Sequence, residues 1–181
     1  DGIIDEVPNT PRARRKDNPR PFFRFYPLVE KDKDAFELLL TTVQRMAAEG
    51  VSIRGVRVSG ELYDFILFVI HTFIRPTTTE AYALKHEDIQ IAKNPTRLLL
   101  TVRNGKTGFR VANSTQEAVD AYKRIKERSN SKDEDFLFLP QYTNRQTAAR
   151  ILQRQFNLAL ELAKIKDDPF TNTQHTVYSL R

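Results

Sequence analysis

The sequence predicts a mainly helical α+β domain with a small antiparallel β-sheet. Three observations carry this. Apolar residues recur at three- and four-residue spacing in four separate segments. Two β-branched runs flank the Asn104-Gly105 pair, as in a hairpin. Hydrophobic residues at 40% against 29% charged give a globular composition, and 181 residues are about one domain's worth of chain, enough to bury a core.

Residues 1–27 are rich in Pro and Arg and show no sustained period, so they read as a linker or arm in which Phe22, Phe23 and Phe25 pack locally. Residues 28–181 form the domain. Between 30 and 48, Phe36, Leu39, Leu40, Val43 and Ala47 share a helical face, and Gly50 closes the segment. A second helix over 59–74 places Leu62, Phe65, Ile66, Val69, Ile70 and Phe73 on one wide apolar face and is central to the core. Pro76 and the threonines 77–79 interrupt the pattern, and a short helix then carries Ala81, Tyr82 and Leu84 toward Asp88.

Residues 97–102 read as a strand, Asn104-Gly105 as a tight turn needing positive φ at its centre, and 109–112 as the returning strand. A helix follows over 115–128, then a short strand or extended piece at "FLFLP" and a long helix over 145–164 with Ile151, Leu152, Phe156, Leu160 and Ala163 inward. "DDPFTNTQHT" is loop, and 177–181 opens another helix. No internal repeat is visible.

Several classes are disfavoured. The longest apolar run, "FILFVI", is far too short to span a bilayer, and no signal peptide stands out. Without cysteine there is no disulfide framework or thiolate metal site, and three scattered histidines lack ligand spacing. A net charge of +6, from 29 basic and 23 acidic residues, with a pI near 9.6, favours a polyanionic partner, although basic side chains also serve simply to solvate helix faces.

Two cations stand out locally. Arg75 ends the apolar stretch "FILFVIHTFI", where a charge that cannot be neutralised needs an anion or several acceptors; Glu80, Glu87 and Asp88 are the internal candidates. Lys106 sits at the hairpin tip "NGKTG" with nothing acidic beside it; the plainer reading is a solvated decoration. The tip lacks the G-x-x-x-x-G-K-[ST] spacing of a nucleotide loop. In "HTVYSLR", Tyr178 and Arg181 stand three apart and share a helical face.

Taken in order, these segments resemble the tyrosine recombinases (phage integrase family). "HTFIRPTTTEAYALKHEDI" is similar to the family's first arginine box, "LLLTVRNGKTGFRVANS" to its hairpin with the catalytic lysine, and "VYSLR" to its second box, normally His-x-x-Arg, over about residues 22–181. The resemblance implies a recombinase-like catalytic domain, preceded at 1–27 by a linker from an upstream DNA-binding domain. It implies site-specific DNA recombination: strand cleavage and rejoining through a 3′-phosphotyrosyl intermediate. Arg75 and Arg181 would clamp the scissile phosphate and Lys106 would protonate the departing 5′ oxygen.

Glu80 would take the family's buried carboxylate position, two residues further from the arginine than usual. Tyr178 stands where the family has His; a phenol can donate a hydrogen bond but is a poor base near neutral pH, and His175 is a possible substitute. The implied partners are double-stranded DNA and further protomers in a tetrameric synapse. The implied setting is cytoplasmic and nucleoid-associated, and neither a metal nor another cofactor is required. The family's nucleophilic tyrosine lies beyond its second box, so the resemblance implies that the 181 residues lack it and are inactive alone. Two other readings remain open at this point: a DNA-binding module of the same ancestry without catalysis, and a helical protein-interaction domain.

Overall fold

The structure is a computed structural model that describes residues 35–165. The leader, Tyr178, Arg181, His175 and the segment 177–181 lie outside the described residues. Those described form an α+β arrangement of four helices, a two-stranded ribbon and a three-stranded antiparallel sheet.

Helix α1 (Ala35–Ala48) buries Leu39, Val43 and Met46, and Val51 N–H bonds back to the Met46 carbonyl after the chain turns through Gly50. The ribbon of β1 (Ser52–Ile53) and β2 (Val56–Arg57) follows. Helix α2 (Gly60–Thr72) starts where the Ser59 hydroxyl accepts from Glu61 N–H, satisfying one of the free donors of its first turn. Its Leu62, Phe65, Ile66, Phe68 and Val69 are buried, and full burial of each such side chain favours folding by about 1.5–3 kcal/mol. Phe73 stops it in the left-handed region at φ 57°.

This turn corrects one expectation: Phe73 is 59% exposed rather than part of the apolar face, while Ile74 after it is fully buried. The short helix expected next is two separate 3-10 turns, Ala81–Ala83 and His86–Asp88. The Phe65 ring stacks on Tyr82 at 5.1 Å and meets Phe138 edge-on at 5.0 Å, so the first turn and the "FLFLP" stretch are held on the same face of α2. "FLFLP" departs from the strand or extended piece expected: Phe136 makes a single bridge to Lys85, Leu137 and Phe138 lie in bends, and Leu139 is left-handed at φ 48°.

Strands β3 (Ile89–Ala92), β4 (Arg97–Gly105) and β5 (Gly108–Asn113) order the sheet as β3-β4-β5. Leu98, Leu100 and Val102 of β4 point into the core, and helix α3 (Glu117–Ser129) covers that side with Ala118, Val119, Tyr122 and Ile125. Asp64 of α2 is buried and holds Arg124 and Arg128 of α3. Helix α4 (Arg145–Leu162) is capped by Asn144, whose side chain accepts from Gln146 and Thr147 N–H, and Ile151, Leu152, Phe156, Leu160 and Ala163 face inward as expected.

The hairpin differs from its expected form. Strand β4 runs through Asn104-Gly105, and Gly105 pairs with Gly108, so Lys106 and Thr107 are the turn. None of residues 104–107 has positive φ; Gly108 takes it, at 87°. A two-residue turn followed by a left-handed glycine is the familiar alternative to the mirror-image turn that Asn-Gly suggests. Arg103 and Asn104 together oppose Phe109, which makes a β-bulge just before the tip.

Candidate functional site

The loop after α2 is organised around Arg75. Its carbonyl accepts from Thr77 N–H (2.8 Å) and Ala81 N–H (3.0 Å), closing a compact turn that contains Pro76. The turn delivers Glu80 back beneath Arg75 with its side chain 1% exposed. The Glu80 carboxylate then binds three segments at once. Its Oε2 accepts from Arg75 N–H (3.1 Å) and from Arg110 Nη2 (2.6 Å), and its Oε1 accepts from Lys106 N–H (3.3 Å).

Burial pushes the Glu80 carboxyl up, but the bond from Arg110, the two backbone bonds and the Arg110 charge outweigh it and hold the group below its ordinary value. The same pairing raises Arg110. Glu80 is therefore a buried anion, and the hub to which both singled-out cations are tied by their backbones.

The side chains differ. Arg75 is ion-paired with Glu80, the first of its internal candidates, at 3.9 Å from Nη1 to Oε1; its side chain is one-third exposed, but that Nη1 is buried and makes no hydrogen bond. Glu87 and Asp88, the other internal candidates, are taken by Lys85 and Arg103. Lys106 is exposed at the tip, and among the described residues no carboxylate pairs with it. Buried guanidinium nitrogens normally find acceptors, and the nearest carboxylate to this Nη1 is Glu80, at the edge of ion-pair range.

Arg110 is the participant that sequence reasoning missed. The signal was parity: Phe109 and Val111 are 69% and 54% exposed, so the arginine between them faces inward, an unusual place for a charge without a buried partner. Its guanidinium reaches Glu80 by passing over Gly105, where a methyl group would overlap Arg110 Nη1 and come within 3.1 Å of the Gly108 carbonyl. Glycine at 105 is what this close crossing requires.

Behind the hairpin an open cleft of about 200 Å³ lies between the 3-10 turns and β4, lined by Thr79, Glu80, Lys85, Asp88, Arg103 and Asn104. Its charges are mutually paired: Asp88 holds Arg103, the Lys85 ammonium lies 3.8 Å from Glu87, and Glu80 holds Arg110. Among the described residues no three His, Asp or Glu side chains gather to hold a metal, and no helix is long and apolar enough to cross a membrane. No protein-family model matches the chain, and no curated protein or solved structure matches it significantly.

Proposed function

We propose that the chain is the phosphate-gripping part of a site-specific DNA recombinase of the tyrosine type. The observation that carries the proposal is the Glu80 carboxylate, which binds the backbone amides of Arg75 and Lys106 and so ties both residues to one point, with the Arg75 guanidinium held only by a long 3.9 Å ion pair and the Lys106 side chain exposed. Arg75 is suited to the non-bridging oxygens of a phosphodiester, because its planar fork bonds them in pairs and keeps its charge. Lys106, on the exposed tip, is suited to the bridging 5′ oxygen.

In the reaction the oxygen of a phenolate, its proton already given up, attacks phosphorus, the bond to the 5′ oxygen breaks, and that oxygen takes a proton from the lysine, which is left as the neutral amine. An ammonium can give up this proton where a guanidinium cannot. Arg181 completes the clamp in this reading, with Tyr178 or His175 donating to the same phosphate. Tyr82 and Tyr122 are buried in the core and unsuited to be the attacking group; no nucleophile is assigned among the 181 residues. A net charge of +6 supports a DNA partner, and the reading places several protomers on paired sites.

The first test is binding of a labelled duplex at increasing salt. Phosphate contacts predict a linear fall of log affinity against log salt, by about 0.9 per phosphate neutralised. Arg75→Lys keeps the charge but loses the fork, so it leaves binding nearly intact and abolishes strand exchange in a cleavage-competent assembly. Binding that ignores salt overturns the reading. Normal exchange by Arg75→Lys does so too. The replacement of the usual second-box His by Tyr178 favours one rival, a DNA-binding module without catalysis, for which Arg75→Lys would affect binding alone.

A further inference from the structure

We propose that Arg110 is a positioning residue for Lys106: through Glu80 it latches the hairpin tip to the Arg75 loop and sets where the lysine side chain begins. The inference rests on the reading of Lys106 as a DNA-directed side chain, but the latch itself stands on geometry alone. A two-residue turn projecting from a sheet has few contacts of its own, and such tips are where backbones open most easily. Here the tip is held at two points by one buried carboxylate, at the Lys106 amide (3.3 Å) and at the Arg110 guanidinium (2.6 Å).

The carboxylate is in turn fixed by Arg75 N–H at 3.1 Å. A side chain that is itself long and flexible therefore starts from a base whose distance to Arg75 is set. Arg110 does not contribute to DNA contact in this account, because its charge is spent inward on Glu80.

Two substitutions separate the latch from a mere change of charge. Arg110→Gln removes a cation and Glu80→Gln removes an anion, so they alter net charge in opposite directions, yet both release the tip. In the free 181-residue protein, exchange of the Lys106 amide and its neighbours at 104–109 is expected to rise about ten-fold or more in either variant, while the amides of Leu98, Leu100 and Val102 change little. Uniform acceleration across the sheet, or no change at the tip, overturns the latch.

The consequence for Lys106 is read by trapping. The chain has no cysteine, so Lys106→Cys is its single thiol. That thiol can attack a small disulfide tethered to a backbone phosphate of a duplex, releasing the small thiol and linking protein to DNA. At saturating duplex the trapping rate of Lys106→Cys is expected to fall about ten-fold when either Arg110→Gln or Glu80→Gln is added, because the reacting groups are no longer held together. A fall with Arg110→Gln but a rise with Glu80→Gln would follow charge instead and overturn the proposal, making Arg110 an ordinary DNA cation. If Lys106→Cys never traps and the parent chain does not bind duplex, the recombinase reading fails, while the exchange measurement still decides the latch.

Discussion

Arg145 is the residue whose replacement should cost the most stability for the least change in size and charge. Its Nε donates to the Tyr82 carbonyl at 2.7 Å, its Nη1 to those of Tyr142 (2.6 Å) and Leu139 (3.2 Å), and its Nη2 to that of Phe138. The guanidinium also lies 4.1 Å from the centroid of the Phe136 ring. Four carbonyls from two chain segments converge on one planar fork at the start of α4. In Arg145→Lys a single ammonium at a different reach can serve about two of them.

The two carbonyls left over lose charge-assisted bonds worth about 1.5–3 kcal/mol each, and partial exposure lets water recover some of that. We expect a net loss of about 3 kcal/mol, a large share of the roughly 5–15 kcal/mol by which such domains are stable. For a chain of this size that lowers the melting temperature by about 6–12 °C. Urea unfolding followed by circular dichroism measures it directly, with the slope of the transition unchanged. A loss under about 1 kcal/mol would refute the reasoning, since it would mean the four carbonyls are as well served by water as by the guanidinium. The Tyr82 carbonyl lies two residues beyond Glu80, so the same variant should also speed amide exchange in the Arg75 loop.

Three further outcomes follow. His86 is buried with both ring nitrogens unpartnered; burial, aided by Lys126 and opposed by Asp135 and Asp133, holds it below its ordinary value. Its contribution is therefore intact above the unfolded value of 6.5 and is lost as pH falls below it, at up to about 1.4 kcal/mol per pH unit until the folded form also protonates, and His86→Phe should flatten this dependence in urea midpoints taken between pH 7.5 and 5.5. Asp64→Asn leaves Arg124 and Arg128 without their shared anion; both are over one-third exposed and can turn to water, so the cost should be about 1–2 kcal/mol rather than that of a fully buried pair, measured by thermal melting. Gly105→Ala needs no change of backbone region and acts mainly by displacing Arg110, with a smaller crowding of the Gly108 carbonyl, so in a double-mutant cycle with Arg110→Gln the second substitution should add much less to tip amide exchange than it does alone.

The long periodic segments were legible because their burial follows from spacing alone: the inward residues of α4 and most of those expected on α2 are buried where periodicity puts them, while on α1 Leu39 and Val43 are buried and Phe36, Leu40 and Ala47 only partly so. Strand β3 was not, because four residues with exposed Gln90 and Ile91 carry too little alternation to be distinguished from loop. The hairpin was legible but its turn was placed two residues early, since Asn-Gly mimics one turn type and Gly108 supplied another. At the site, Arg75 and Lys106 could be picked out from their neighbours in sequence. What joins them could not. The Arg110 pairing spans 30 residues and depends on a fold that brings β5 over the loop after α2, which no local pattern encodes.

The extra residue at Arg103-Asn104 makes the length of β4 matter more than its composition. It acts as a phase shifter: beyond it, odd and even positions exchange sides, and only so does the amide of residue 106 arrive above Glu80. Deleting either residue would restore unbroken alternation and roll the tip half a period around the strand axis, whereas exchanging one side chain for another there would leave the aim unchanged. Relatives of this chain should accordingly hardly vary in count at these two places, and should vary in lettering more at 104 than at 103, where the arginine pairs with Asp88.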